Sequence, residues 1–157
     1  MKKTVFRAFS LVLFMVAAGV VTNAGAQTVN GSIGKGTAAR GKATRATVVL
    51  SMPGGLHANS NRPGSEYAIP TTVRASGNGV RVGAVSYPRG KNRKFSFSEN
   101  VINVYDGRTS FGFNVTVPEN FKGNTVRVNV SVRYQACNDE VCYPPKTKQV
   151  TLTARVI

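Results

Sequence analysis

The sequence has 157 residues, with 21 Lys and Arg against 6 Asp and Glu, a formal net charge of +15, one His, two Cys and no Trp. A chain of this length lies in the usual size range of single domains and buries enough apolar surface to fold without a metal, so we expect one domain. The positive charge favours acidic partners. Its basic residues are mostly scattered singly rather than clustered among aromatic residues, which argues against a nucleic-acid site.

Residues 1–26 have the pattern of a secretory signal peptide. Basic residues begin the chain, an unbroken run of apolar and small residues spans 8–21, and small residues precede a cleavage point after Ala26. The run is shorter than the roughly 20 apolar residues that cross a bilayer. We therefore expect cleavage, export to the periplasm, no membrane span afterwards and a net charge of +12 on the remainder. Export also argues against a nucleic-acid partner.

The rest of the chain divides into two parts. Residues 27–45 are rich in Gly, Ala, Thr and Lys without apolar periodicity, which predicts a flexible leader. Over 46–157, short runs of β-branched and aromatic residues recur about every 8 to 12 residues between Gly, Pro and Asn. This pattern predicts an all-β domain, an immunoglobulin-like β-sandwich of about eight strands. The predicted strands are 47–52, 67–75, 80–87, 94–97, 101–105, 110–117, 125–136 and 147–157.

The residues with the most distinctive chemistry are Cys137 and Cys142. Two Cys and one His are too few for a four-ligand zinc site, so we expect no metal, and no cofactor is needed because a cysteine pair itself carries two electrons. A cysteine nucleophile of the hydrolase kind needs a His and an orienting partner. His57 follows Gly54-Gly55-Leu56, where a structural histidine at a strand end is the ordinary expectation.

The spacing of the two cysteines fits a β-hairpin. If Asp139-Glu140 are the central residues of a tight turn, Cys137 faces Cys142 in a non-hydrogen-bonded pair. The Cα atoms of such pairs are about 4.5 Å apart, near the short end of the range of about 4.4–6.8 Å that disulfides accept. A disulfide that closes a six-residue ring also removes little conformational entropy from the unfolded chain, so it stabilises the fold only slightly. A redox-active disulfide at a loop tip is therefore favoured, although a structural disulfide is the ordinary alternative in an oxidising compartment.

Two aromatic residues flank the pair. Tyr134 and Tyr143 are candidates for shielding the sulfurs from solvent, and ordinary packing is the alternative for both.

The segment Tyr134-Gln135-Ala136-Cys137, followed by Cys142-Tyr143-Pro144-Pro145, resembles the active-site segment of the N-terminal periplasmic domains of the thiol:disulfide interchange protein DsbD family. A weaker resemblance extends over 46–157. It implies an immunoglobulin-like domain in which Cys142 forms mixed disulfides with partners and Cys137 resolves them. It also implies a cap loop over the cysteines, placed at about 103–107 with Tyr105 as the capping aromatic.

The partners that the resemblance implies are thioredoxin-like periplasmic oxidoreductases and a membrane electron donor. Because the sequence runs to Ile157 without a membrane-embedded or thioredoxin-like part, we expect that donor to act in trans. The resulting hypothesis is periplasmic thiol–disulfide exchange by an electron-relay or protein-disulfide reductase domain. The alternative is a non-enzymatic immunoglobulin-like binding module whose disulfide only clips a loop.

Overall fold

The computed structural model describes residues 26–157, so the predicted signal peptide lies outside the described residues except for Ala26. Within this range all regular structure is β-strand, and no helix is long and apolar enough to cross a membrane. The twelve strands are β1 Thr28–Ile33, β2 Thr37–Ala38, β3 Ala43–Ser51, β4 His57–Asn59, β5 Thr72–Ser76, β6 Arg81–Val82, β7 Lys91–Arg93, β8 Ile102–Asp106, β9 Arg108–Thr116, β10 Thr125–Tyr134, β11 Ala136–Cys137 and β12 Lys146–Val156.

The strands form an immunoglobulin-like sandwich with a small extra sheet. One sheet has the order β1-β3-β9-β6 and another the order β2-β12-β10-β5. A third, in the order β11-β4-β8-β7, carries the cysteines. The predicted all-β class is confirmed, with twelve strands in 26–157 rather than about eight because several short pairings carry little sequence pattern.

Alternating side chains build the core between the two larger sheets. In β9, Phe111, Phe113 and Val115 are buried, and in β10 every second residue from Val126 to Tyr134 is buried. Successive side chains of a strand point to opposite faces, so one face of each strand lies in the core and the other is polar. Each such Val or Phe contributes about 1.5–3 kcal/mol by leaving water.

The predicted flexible leader at 27–45 is instead part of the sheet structure. β1 pairs with β3 over six residues, from Thr28 opposite Ser51 to Ile33 opposite Ala46, and Ile33 is fully buried. Most of β1 is exposed, so its sequence lacks apolar periodicity. Its backbone pairing with β3, which no local pattern reveals, holds it in place.

Two predicted strands differ from the structure near the cysteines. The predicted strand 94–97 is a loop that follows β7, and the predicted strand 67–75 begins only at Thr72. The N–H of Ala68 donates to the carbonyl of Ser65 in a turn, and Pro70 offers no backbone donor to a ladder. Both departures place irregular chain beside the disulfide.

Candidate functional site

Cys137 and Cys142 are joined by a disulfide across the hairpin that the spacing predicts. They form an antiparallel bridge with their Cα atoms 4.0 Å apart. The flanking backbone bonds run from the N–H of Asn138 to the carbonyl of Val141, at 2.9 Å, and from the N–H of Tyr143 to the carbonyl of Ala136, at 2.8 Å. This is the pattern of a non-hydrogen-bonded pair. We call residues 137–142 the cysteine loop.

The Asn138 side chain shapes the cysteine loop. Its Oδ1 accepts hydrogen bonds from the N–H groups of Glu140, at 2.9 Å, and Val141, at 2.7 Å. A short amide that caps the backbone two and three residues ahead stabilises a tight turn. The Asn-Asp-Glu segment between the cysteines therefore forms the turn of the hairpin.

Cys137 begins a row of three side chains across the small sheet. It lies opposite His57 on β4, and His57 lies opposite Asp106 on β8. Residues that face one another across neighbouring strands share a face of the sheet. Cys137, His57 and Asp106 therefore lie on one face, whereas the next row, Ala136, Ala58 and Tyr105, lies on the other and packs into the main core.

A glycine turn places His57 in this row. The N–H of Leu56 donates to the carbonyl of Pro53 at 3.2 Å, and Gly55 between them has φ +78°. This left-handed conformation is accessible to Gly without the steric cost that other residues meet. The turn ends directly before β4 begins at His57.

Residues 94–101, which we call the covering loop, close over the row. Phe95 is buried and stacks on the His57 imidazole, with ring centroids 4.4 Å apart and planes 14° apart. Phe97 stacks on Phe95 at 5.2 Å. Beneath the loop, Phe95 packs with Ile102 and Val104 in a second, smaller hydrophobic cluster.

Polar contacts tie the covering loop and β7 to the cysteine loop. Ser96 Oγ donates to the Asp139 carbonyl at 3.3 Å, and the Arg93 guanidinium lies 3.6 Å from the Asp139 carboxylate. Arg93 also pairs with Asp106 at 3.3 Å, and its guanidinium carbon lies 5.3 Å from the centre of the Phe95 ring. These pairs are partly solvent-exposed, so each contributes at most about 1 kcal/mol.

The two sulfurs differ in access. Cys137 has no exposed surface, whereas Cys142 is half-buried at a groove of about 420 Å³. Phe97 of the covering loop and Tyr67 of the neighbouring segment line this groove, and they are 39% and 86% exposed. A protein that enters the groove meets Cys142 and exposed aromatic surface.

A hydrogen-bond network fixes the groove's other wall. The Gln135 side-chain oxygen accepts hydrogen bonds from the Ile69 N–H, at 3.2 Å, and from the Asn59 amide, at 3.0 Å. Thr71 Oγ1 donates to the Asn59 carbonyl at 2.5 Å. The segment that carries Tyr67 is thereby connected to the strand that leads into Cys137.

The family profile described as "Thiol:disulfide interchange protein DsbD, N-terminal" matches residues 33–154. The chain belongs to this family. The recognition made from the cysteine segment is thus confirmed, and the chain is a member of a thiol–disulfide interchange family. The match also includes most of the segment for which a flexible leader is predicted.

Two solved structures are similar to this chain over about four-fifths of its length. The N-terminal periplasmic domain of ScsB from Proteus mirabilis is similar at 10% identity and a TM-score of 0.48, over 79% of this chain and 44% of that one. This chain thus spans less than half of that domain. A cohesin module from a Clostridium perfringens ATCC13124 family 33 glycoside hydrolase is similar at 10% identity and a TM-score of 0.45, over 80% of this chain and 96% of that one. No curated protein sequence matches this chain.

Tyr105, predicted as the aromatic cap from the resemblance to DsbD N-terminal domains, lies in the main core. It is 2% exposed, and its hydroxyl donates to Asn61 Oδ1 at 2.6 Å. Alternation along β8 places it on the face opposite Cys137. Phe95 and Phe97 of the covering loop lie on the cysteine side instead. The aromatic side chains that cover the row of Cys137 therefore lie in residues 94–101 and not in the predicted cap range of 103–107.

The two tyrosines that flank the cysteines lie in different places. Tyr134 is fully buried in the main core, where its hydroxyl donates to Gln27 Oε1 at 3.1 Å. For Tyr134 the structure therefore supports ordinary packing rather than shielding of the sulfurs. Tyr143 lies beside the cysteine loop, and its hydroxyl accepts a hydrogen bond from the Asn138 amide at 3.4 Å.

Sequence reasoning missed Phe95, Phe97 and the position of His57. The Phe-Ser-Phe pattern was the available indication, since alternate residues of an extended chain share one side. Burial lowers the pKa of His57, Arg93 lowers it further, and Asp106 and Asp139 act in the opposite direction. The imidazole is therefore neutral at pH 7. Within 26–157, no three His, Cys, Asp or Glu side chains are grouped as a metal site would require.

Proposed function

We propose that this domain exchanges thiols and disulfides with partner proteins in the periplasm, passing two electrons through Cys137 and Cys142. The observation that best supports this proposal is the difference in solvent exposure between the two cysteines. A thiolate exchanges with a disulfide only where the two sulfurs meet, and Cys142 faces the groove while Cys137 is enclosed. Cys142 is accordingly the residue that bonds to partners, and Cys137 is the resolving residue.

The reaction in the reducing direction has two displacements. The Cys142 thiolate attacks a disulfide sulfur of the partner, which forms a mixed disulfide and releases one partner thiolate. The Cys137 thiolate then attacks the Cys142 sulfur, which forms the intramolecular disulfide and releases the second partner thiolate. The partner gains two electrons, and the domain ends oxidised.

A donor must then reduce the Cys137–Cys142 bond by the reverse sequence. We propose a membrane electron donor, and thioredoxin-like periplasmic oxidoreductases as acceptors. The family membership supports both assignments. The exposed aromatic groove supports protein partners, because exposed Tyr and Phe next to a reactive group are typical of protein interfaces.

The covering loop acts as a gate in this scheme. It closes over the row that contains Cys137 and is fastened to the cysteine loop by the exposed contacts of Ser96 and Arg93 with Asp139. A docking partner displaces these weak contacts, whereas small thiols and oxidants do not displace them and exchange more slowly. Gating of this kind favours exchange with proteins that fit the groove.

Trapping with a single-cysteine variant tests the proposal. Cys137→Ala leaves Cys142 without a resolving thiol, so mixed disulfides with partners persist. We expect thioredoxin-like proteins attached to Cys142 in a periplasmic extract from the source cells, identified by mass spectrometry after non-reducing separation. Cys142→Ala is the matched control and should capture few of them. If neither variant captures a protein, the disulfide is a loop clip, and the domain is a binding module.

A further inference from the structure

The His57 imidazole has an unsatisfied ring nitrogen in the disulfide form. Its Nε2 is buried and, among residues 26–157, has no hydrogen-bond partner. Buried polar atoms without a partner are rare in native proteins and call for an explanation. The Phe95 ring covers the imidazole and leaves it 1% exposed, so bulk water does not supply the missing partner.

Reduction of the disulfide places a proton donor on the same face of the sheet as His57. His57 lies directly opposite Cys137 on the same face, which puts their Cβ atoms about 4.5–5.5 Å apart. A disulfide sulfur carries no proton and is a weak acceptor. A thiol donates its S–H, and a neutral imidazole accepts it at the nitrogen that bears no proton.

We propose that His57 is the proton acceptor for Cys137 in the reduced domain and so prepares the resolving thiolate. This inference rests on the proposed function, since it assigns a role within the second displacement. The sequence holds no other histidine, so no other imidazole can substitute.

The charges around His57 suit this role. Asp106 faces it from β8, Arg93 and Lys91 on β7 both pair with Asp106, and Asp139 approaches from the cysteine loop. From the covering loop, Lys94 donates to the carbonyl of Glu99. Burial, with Arg93, lowers the pKa of His57, which leaves a neutral base. The two carboxylates stabilise the imidazolium that forms when it takes a proton.

The proton balance closes within the reaction. The Cys137 thiol gives its proton to His57 Nε2, and the resulting thiolate attacks the Cys142 sulfur. The bond between Cys142 and the partner breaks, and its electron pair leaves on the partner's thiolate. The imidazolium then returns its proton to that thiolate directly or through solvent, which restores neutral His57.

The first test uses the single imidazole signal in the proton–carbon NMR spectrum of the intact domain. His57 should titrate at different pH values in the oxidised and reduced proteins, because a thiolate beside the ring stabilises its protonated form. Cys137→Ala forms no intramolecular disulfide and places no thiol beside the ring, so its His57 should titrate as in the oxidised wild type. Identical titrations of the oxidised and reduced wild type would overturn the proposal.

The second test follows the two displacements separately. The reduced domain is mixed with a chromogenic aromatic disulfide, which releases one coloured thiol when Cys142 attacks and a second when Cys137 resolves. His57→Gln keeps a polar side chain of similar length that does not titrate. We expect the second release to slow about three- to tenfold at pH 7. Without His57 a smaller fraction of Cys137 is thiolate, but a thiolate of higher pKa is intrinsically more nucleophilic, which offsets part of the loss. Its pH inflection should move toward the ordinary thiol value of about 8.5.

The controls separate a proton acceptor from a packing residue. The first release should keep its rate in His57→Gln, because it reports Cys142. Phe95→Leu removes the stacked ring and keeps the imidazole, so its second release should still inflect below the pH found for His57→Gln. An unchanged inflection in His57→Gln would overturn the proposal. This result is independent of partner trapping, because both releases are measured on chemically reduced protein with a small disulfide.

Discussion

Phe95 stacks on the imidazole of His57 with ring centroids 4.4 Å apart, and His57 in turn lies opposite Cys137 in the small sheet. The covering loop is thereby packed onto the row that contains the buried sulfur. Cys142 lines the groove beside this row.

The two thiols of the reduced domain should react at different rates. Cys142 is half-buried at the groove and Cys137 is enclosed, so a maleimide should modify Cys142 faster by on the order of tenfold or more, since the enclosed thiol reacts only after local opening. Peptide mapping of briefly labelled protein measures the ratio. In 6 M urea, which we expect to expose both thiols, the difference should disappear. Equal rates in the folded domain would contradict the proposed roles.

Removal of Phe97 should open the covering loop. An aromatic pair contributes about 0.5–1.5 kcal/mol, so loss of the stack on Phe95 should raise the rate at which dithiothreitol reduces the disulfide about two- to tenfold. The measurement is the reduction rate of Phe97→Ala under excess dithiothreitol. Ile157→Ala removes another exposed apolar side chain, which the gating scheme does not involve, and should leave the rate unchanged. Equal rates in the two variants would show that Phe97 does not gate the disulfide.

Tyr105 should affect stability and not exchange. Tyr105→Phe removes the hydrogen bond to Asn61, which should lower the free energy of unfolding by about 0.5–1.5 kcal/mol. Urea titration measures this change. The rate of reduction by dithiothreitol should stay at the wild-type value, because the side chain lies on the core face. A faster reduction would restore Tyr105 as a cap.

The segment 28–33 should be necessary for stability. Ile33 is fully buried, so Ile33→Ala should lower the free energy of unfolding by about 2–5 kcal/mol. Ser32→Ala, at an exposed neighbouring position, should change it by less than about 0.5 kcal/mol. Both values come from urea titration. A negligible effect of Ile33→Ala would mean that the segment is the flexible leader which its composition predicts.

The low pKa of His57 should make stability depend on pH. Burial lowers this pKa in the folded state below its ordinary value of 6.5, so the unfolded chain binds the proton more tightly. The contribution of His57 to the free energy of unfolding is therefore fully present above about pH 6.5. It is lost as the pH decreases toward the lowered pKa of His57 in the folded state. Urea midpoints measured between pH 7.5 and pH 5 test the dependence. His57→Gln should remove this part of the dependence of the urea midpoint on pH. An unchanged dependence would contradict a buried neutral imidazole.

The large strands and the cysteine pairing were predictable because they depend on local pattern. β10 alternates apolar and polar residues over ten positions and β9 does so over 110–116, and the spacing of Cys137 and Cys142 determines the hairpin register. β1 was not predictable, since most of its side chains are exposed and its stability comes from pairing with β3. The covering loop was not predictable either. Its packing on His57 joins segments about 40 residues apart without a sequence pattern that links them.

The reduction potential of the Cys137–Cys142 bond tests the exchange function most directly. It is measured by equilibrating the domain with dithiothreitol redox buffers and counting free thiols by mass spectrometry after alkylation. A bond that cycles should have a potential less negative than about −300 mV. A value more negative than about −300 mV, where structural disulfides lie, would contradict the exchange function and leave the bond as a loop clip.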